Sequence, residues 1–318
     1  MVEAAKVVAV TGSSGYIGSR LLRQLEEENL ERLIAFDTRP PPLPIHNITV
    51  YRQDVSRPID DALRRNGVTT LVHLAFIRNW GRNRREVRNI RENNLRTLHT
   101  VLDSCSGAGV QHIVYLSSHT VYGAHRDNPV PLTEQAPLRP LADFAFSYDK
   151  FLSEQILESF AERHEEIKVT ILRVSPVLGP GADNNISRIF LTPRPQGLCG
   201  YNTAFQFLHE DDLACILSNI IQRSVSGTFN ISGDGVAFYR EIAQAIPSKL
   251  RCMPALLAYP LIASTWGIGL QRDHSPAHLG FMRYPILLST GKLVQSTGYR
   301  LKYTSLEALI SFVNSVLA

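Results

Sequence analysis

Three short stretches carry residue types at spacings that suit chemistry. In "VTGSSGYIGSRL", Gly12, Gly15 and Gly18 fall as G-x-x-G-x-x-G between a strand-like run and a helix-like one. That spacing permits a tight turn and brings backbone N–H groups, those around Ser14, Tyr16 and Ile17, against a pyrophosphate at the positive end of the helix. Asp37 closes the next apolar run in "IAFDTR". A carboxylate there accepts hydrogen bonds from the ribose hydroxyls of an adenosine and repels a 2′-phosphate, so NAD is expected over NADP. Arg39, two residues on, reads either as a partner for that phosphate or as a solvated loop arginine. The third stretch is "FAFSYDK", residues 144–150. Tyr148 and Lys150 suggest a proton-transfer pair, yet two residues along a helix is about 200° of rotation, which turns the tyrosine away from the lysine.

These groups need a scaffold, and the first half of the chain supplies one. "KVVAV" (6–10), "RLIAF" (32–36), "ITVYR" (48–52), "TLVHLA" (70–75), "HIVYLSS" (112–118) and "KVTILRV" (168–174) are strand candidates. Amphipathic stretches at 15–28, 58–66, 84–106 and 143–163 lie between them as helices. Strands alternating with helices build parallel βαβ units. "RPPPLP" (39–44) is an exposed loop, because proline cannot donate to a central sheet. After about residue 175 glycine, proline and asparagine become frequent, which marks a smaller lobe. "FQFLHEDDLACILSNII" (205–221) and "GTFNISG" (227–233) read as a return to the first lobe. The expected division is 1–174 plus 203–232 for the nucleotide domain, and 175–202 plus 233–318 for the substrate lobe.

With 318 residues, 44% of them hydrophobic, the chain can bury a large core. A formal net charge of +4 excludes a polycationic surface for nucleic acid. Cys105, Cys199, Cys215 and Cys252 form no C-x-x-C pair, so they are expected to be reduced, packed thiols. The first residues run straight into a strand with no leader-like pattern, and a cytoplasmic protein is expected. "MPALLAYPLIASTWGIGL" (253–270) is charge-free but broken by prolines and a glycine. It reads as a buried or ligand-facing helix, with a membrane-surface contact as the alternative. Arginines between 78 and 96 read as a solvated helix face, with Arg78 or Arg82 open to an anionic substrate group. His274 and His278 are four apart, but Pro276 argues against a helix aligning them on a metal.

Taken together the motifs resemble the extended short-chain dehydrogenase/reductase family, which includes NAD-dependent sugar-nucleotide epimerases and dehydratases. "TGSSGYIG" is similar to its TGxxGxxG. "QDVS", with Asp54 and Val55, resembles its adenine-contacting block, and "HLA", with Leu74 and Ala75, its wall over the cofactor. "NNLRTLHTVL" resembles its N-V-x-G-T-x-x-V-L, with Asn94 in the asparagine position and Thr97 where glycine is usual. "SSHTVYG", "LRVSPVLGPG", "FLHEDDLA" and "TFNISG" follow in the family's order. The resemblance implies a Rossmann-like doubly wound α/β fold with a smaller C-terminal substrate lobe, NAD as cofactor and a homodimer. Asp211 and Asp212 match a block that serves packing and capping.

The family's chemistry uses Ser/Thr with Y-x-x-x-K. Here the resemblance assigns Ser118 to polarising the substrate oxygen and Lys150 to holding the cofactor's ribose and lowering the tyrosine's pKa, the lysine followed by Glu154 in "SYDKFLSEQ". The tyrosine position is Phe146, so the proton-transferring hydroxyl is missing. Three consequences stay open: an epimerase, dehydratase or reductase acting on a hydroxyl or carbonyl with a proton from His119, Asp143, Tyr122 or water; an NAD(H)-binding sensor or regulatory protein without turnover; or a scaffold in which the cofactor only stabilises the fold.

Overall fold

The computed structural model describes residues 6–28, 32–42, 44–78, 83–191, 196–246, 251–268 and 276–317; Arg82 and His274 fall outside them. Strand β1 (Val7–Thr11) leads to α1 (Tyr16–Glu27), β2 (Arg32–Asp37), β3 (Ile48–Arg52), α2 (Asp60–Asn66), β4 (Thr70–His73), α3 (Arg84–Ala108), β5 (His112–Ser118), α4 (Ala145–Arg163) and β6 (Lys168–Val174). The chain continues through β7 (Val177–Leu178), α5 (Asn185–Leu191), β8 (Gln196–Leu198), β9 (Ala204–Phe205), β10 (Leu208–His209), α6 (Glu210–Arg223), β11 (Gly227–Ile231) and β12 (Ala237–Phe238). It closes with α7 (Tyr239–Ala245), β13 (Arg251–Met253), α8 (Ala255–Gly267), α9 (Pro276–Phe281), α10 (Gly291–Thr297) and α11 (Ser305–Leu317).

Seven strands form one parallel sheet in the order β11-β6-β5-β4-β1-β2-β3. Their apolar runs are nearly continuous because helices cover both faces. On one face Leu21, Leu22 and Leu25 of α1 meet Leu213, Ile216, Leu217 and Ile220 of α6. Leu63 of α2, Leu98, Val101 and Leu102 of α3, and Leu157 and Phe160 of α4 fill the other. The strand order reverses between β1 and β4, and the crevice beyond the C-terminal ends of strands at such a point is where doubly wound sheets bind ligands. Two later elements join this sheet's layers: α6 packs on α1, and β11 pairs with β6 in register Phe229↔Leu172, whereas β9 and β10 pair outside it. Leu293 of α10 enters the same core.

Among the described residues, three two-stranded sheets lie outside the large one, β10-β7, β12-β9 and β13-β8. Two expectations fail in this region. Cys199 and Cys252 are not free thiols but a disulfide, with Cα atoms 4.9 Å apart. The parallel register Gly197↔Cys252 and Leu198↔Met253 of β8 with β13 brings together residues that are 53 positions apart, which no local spacing rule detects. Cys105 is a buried free thiol, as expected, and Cys215 is half-buried. The charge-free segment is helical in α8, but it is not buried. Ala258 alone in that helix is buried, whereas Leu256 is 88% exposed, Leu257 62% and Ile268, just past it, 77%. Hydropathy records what a helix prefers to bury, and the protein body offers α8 only one side to pack against, through Leu198 and Leu279.

Candidate functional site

The glycine turn closes β1 at the switch point. Gly12 has φ +69°, a left-handed conformation suited to glycine, and a Cβ there would stand 2.7 Å from the Ala75 nitrogen and 2.8 Å from the Leu74 carbonyl carbon. The turn is therefore pressed against the His73-Leu74-Ala75 segment beyond β4. A Cβ on Gly18 would meet the Gly12 carbonyl oxygen at 2.3 Å, and one on Gly15 would meet it at 3.2 Å. The glycines thus let α1 begin directly on the turn. Gly15 is the N-cap of α1 and supplies no side-chain cap, and the first turn holds no acidic residue. The N–H groups of Tyr16, Ile17 and Gly18 are left for an anion, and the helix dipole favours one.

Asp37 ends β2 beside this turn, its Oδ2 accepting the Ser14 N–H at 3.0 Å and its Oδ1 the Arg39 N–H at 3.0 Å. Ser14 Oγ in turn donates to the Arg39 carbonyl at 2.7 Å. Arg39 is tied to the turn through its backbone, and its side chain is exposed. Tyr16 donates to Glu210 Oε2, which also accepts the Gly181 N–H, so the start of α1 is bound to α6 and to the loop after β7. Asp54 is exposed and accepts the Ser56 N–H at 2.9 Å, while Val55 is buried. Asn94 is occupied by the backbone. Its Oδ1 accepts the Ile77 N–H at 3.0 Å and its Nδ2 donates to the Ile77 carbonyl at 3.1 Å, which holds the loop beyond β4 against α3.

Lys150 of α4 is buried at the adjoining strand ends. Nζ donates to the Leu116 carbonyl at 2.7 Å and to the Tyr115 hydroxyl at 3.1 Å, both on β5. It also lies 3.9 Å from the Phe76 ring centroid, over its face. Burial, helped by the Arg78 charge and opposed by Glu154 and Asp149, pulls the ammonium down to about 7. Glu154, one helical turn on, accepts from Ser117 Oγ and pairs with Arg173 at 2.8 Å. Residues 115 and 117 alternate onto one strand face while 150 and 154 share one helix face, so the two periods match. Neither Tyr115 nor Phe76 stands out in the sequence. The one trace there is a tyrosine two positions before a serine in "HIVYLSS", on the side of β5 that α4 covers.

Phe146 has no hydroxyl to offer. Its ring meets Phe76 edge-on at 5.8 Å and Phe144 at 6.0 Å, and Phe144 meets His278 at 4.8 Å and Phe281 at 5.3 Å. Aromatic rings from the loop beyond β4, from α4 and from α9 thus pack together on the side of Lys150. Tyr148 points elsewhere, with Arg91 over its ring at 4.9 Å and Phe151 at 6.1 Å. Tyr122 is engaged in the core: it donates to Asn230 Oδ1 at 2.8 Å and accepts from Arg173 at 2.9 Å. Asp143 is exposed.

Ser118 ends β5, and its Oγ accepts the Thr120 N–H at 3.2 Å and the Thr120 hydroxyl at 3.0 Å. The same Oγ lies 3.5 Å from His119 Nδ1. His119 Nδ1 lies 3.2 Å from the Val174 carbonyl, which fixes the hydrogen on Nδ1 and leaves Nε2 as the acceptor. Burial pushes this imidazole down to about 4, so it is neutral near pH 7 and is no store of a proton. Asp212 is buried and accepts the Lys302 and Tyr303 N–H groups, in line with a packing and capping role. Among the described residues no group of three or more His, Cys, Asp or Glu could hold a metal ion.

The chain is 28% identical over 316 residues to the "Uncharacterized protein Rv0501" of Mycobacterium tuberculosis (strain H37Rv), covering 95% of this chain and 82% of that one. It is 27% identical over 183 residues to a UDP-glucose 4-epimerase of Lactobacillus helveticus, covering 56% and 54% respectively. The fold matches that of the Thermus thermophilus UDP-glucose 4-epimerase complex with NAD at a TM-score of 0.75 and 20% identity, over 98% of this chain and 99% of the other. The profile of the NAD dependent epimerase/dehydratase family matches residues 8–232, from the first strand of the large sheet to the end of its last. The chain belongs to the NAD dependent epimerase/dehydratase family.

Proposed function

We propose that this protein binds NAD along the glycine turn and carries out redox chemistry at a hydroxyl or carbonyl carbon of a small molecule, as an epimerase, dehydratase or reductase in which Lys150 moves the proton itself. NAD, when bound, supplies or accepts the hydride. The N–H groups of Tyr16, Ile17 and Gly18 suit its pyrophosphate, and Asp37 suits its adenosine ribose in preference to a 2′-phosphate. The carrying observation is the pairing of this uncapped turn with a buried lysine that is partly deprotonated at neutral pH. A group whose pKa lies near the working pH both gives and takes a proton readily. In the reductive direction the Lys150 ammonium releases a proton to the substrate oxygen, and in the oxidative direction the neutral amine takes it back. Ser118, whose Oγ accepts from Thr120 on its other side, donates a hydrogen bond to the same oxygen. The aromatic wall of Phe76, Phe144, Phe146 and Phe281 favours an apolar substrate body. A homodimer through α3 and α4 and a cytoplasmic location belong to the same reading.

A second reading is NAD(H) binding without turnover, as a sensor, regulator or scaffold. It is favoured by the Phe146 ring, which fills the position of a proton donor with carbon. Carbonyl reduction by NADH across a panel of apolar ketones and aldehydes separates the two. Activity that Lys150→Ala and Ser118→Ala abolish, in folded protein, supports the enzyme. Activity indifferent to both would remove the site assignment. Activity absent in the native protein but present in Phe146→Tyr would favour the non-catalytic reading.

A further inference from the structure

A lysine that carries a proton must fit its seat both as an ammonium and as an amine, and the groups around Lys150 differ in how well they allow this. The ammonium has three N–H donors and no acceptor, whereas the amine has two donors and a lone pair. Nζ donates to the Leu116 carbonyl at 2.7 Å and to the Tyr115 hydroxyl at 3.1 Å, and it faces the Phe76 ring at 3.9 Å. A carbonyl only accepts and a ring face is electron-rich, so neither has a hydrogen for the lone pair. Of the three, the Tyr115 hydroxyl alone has one.

That hydroxyl is set up to turn. Ser153, one helical turn beyond Asp149 on α4, bonds it, and Ser153 Oγ also donates to the Asp149 carbonyl at 2.9 Å. With Lys150 charged, the donors run one way, from Nζ to Tyr115, from Tyr115 to Ser153 and from Ser153 to the carbonyl. Once the lysine has lost its proton, the two hydroxyl hydrogens rotate: Ser153 donates to Tyr115, and Tyr115 donates to the amine lone pair. Both arrangements leave Nζ and the Tyr115 oxygen paired. All three side chains are buried, so bulk water does not take over these bonds.

The charged and titratable groups that face Lys150 from the other elements are already committed. On α4, Asp149 pairs with Arg91 and Glu154 with Arg173. Arg78, on the loop beyond β4, keeps its charge. His73 of β4 lies against the Tyr115 ring at 5.9 Å, is bonded to Thr11 Oγ1 at 2.7 Å and is kept neutral by burial.

We infer that Tyr115 is the positioning residue of the proton carrier: its hydroxyl, switching between acceptor and donor with Ser153 behind it, holds Lys150 Nζ in one place in both protonation states. The inference rests on the proposed proton transfer by Lys150.

The test is an NMR titration of the full chain labelled with ¹³C-lysine, the Lys150 signal being identified by its loss in Lys150→Met. The native midpoint should lie at about 7. Tyr115→Phe keeps the ring and removes the hydroxyl. A hydrogen bond from a charged donor is the stronger one, so the ammonium loses more than the amine and the midpoint should fall by about one pH unit. Ser153→Ala should lower it by less, because the Tyr115 hydrogen then finds a partner only in the amine state. A native midpoint near 7 that stays put or rises in Tyr115→Phe would overturn the positioning role and leave the proton carrier standing. A native midpoint near the ordinary 10.5 would remove the proton carrier and the positioning role with it. If circular dichroism shows Tyr115→Phe unfolded, the Ser153→Ala midpoint decides in the same way.

Discussion

Replacing Lys150 by methionine should make this protein more stable while removing its proton carrier. The two side chains have similar length, so the volume beside Phe76 and Tyr115 stays filled. What changes is the charge. The Lys150 ammonium is pulled from its ordinary 10.5 to about 7, first by burial and then by Arg78. A folded-state pKa below the unfolded one means that the unfolded chain binds more protons between these two values, so native stability rises with pH across that window. The contribution is absent below pH 7, grows by about 1.4 kcal/mol per pH unit and is complete above 10.5, a total of about 5 kcal/mol. Lys150→Met lacks this slope. Against it stand the bonds to the Leu116 carbonyl and the Tyr115 hydroxyl, whose loss costs about 1–3 kcal/mol at any pH. The variant should therefore exceed the native protein by a few kcal/mol at pH 6, with the margin shrinking towards pH 9. Urea unfolding followed by circular dichroism at pH 6, 7.5 and 9 measures this. A variant less stable than the native protein by the same amount at every pH would show that Lys150 carries no buried-charge penalty and is not poised near neutrality.

Other expectations follow from particular contacts. Gly18→Ala would put a methyl group 2.3 Å from the Gly12 carbonyl, so the turn must open and NAD⁺ affinity by calorimetry should fall at least roughly tenfold, with the large sheet intact by circular dichroism. Glu154→Gln leaves Arg173 buried without a counter-charge, and unfolding free energy should drop by about 3–5 kcal/mol in urea titration. Reducing the Cys199–Cys252 bond, or replacing both residues by serine, should cost up to about 4 kcal/mol for a loop of this length, read as a lower melting temperature with dithiothreitol. An unchanged melting temperature would show that β8 and β13 hold together without the bond.

The large sheet was legible because each strand is an apolar run bounded by helix-forming stretches, and β1 to β6 begin and end within two residues of the segments read from sequence. The glycine turn and Asp37 were legible for a related reason: their chemistry depends on neighbours along the chain. The aromatic wall was not. Phe76, Phe144 and Phe281 come from a loop, the start of α4 and α9, and only the fold puts them around Phe146. Tyr115 hid in a strand, where an aromatic residue needs no special reason. The Asn94 amide bonds the Ile77 backbone, a long-range contact that its place in "NNLRTLHTVL" does not announce. The α8 segment misled because an apolar run announces that it avoids water, not whether protein or something else provides the cover.

A nucleotide held at the first glycine turn is central to the proposed chemistry, and the direct test is calorimetric titration of the purified protein with NAD⁺ and NADP⁺, repeated on Asp37→Ala. Micromolar binding of NAD⁺, about −8 kcal/mol, is expected, with weaker binding of NADP⁺ and loss of that preference in the variant. Absence of heat with either nucleotide up to ~1 mM, about −4 kcal/mol, would contradict it.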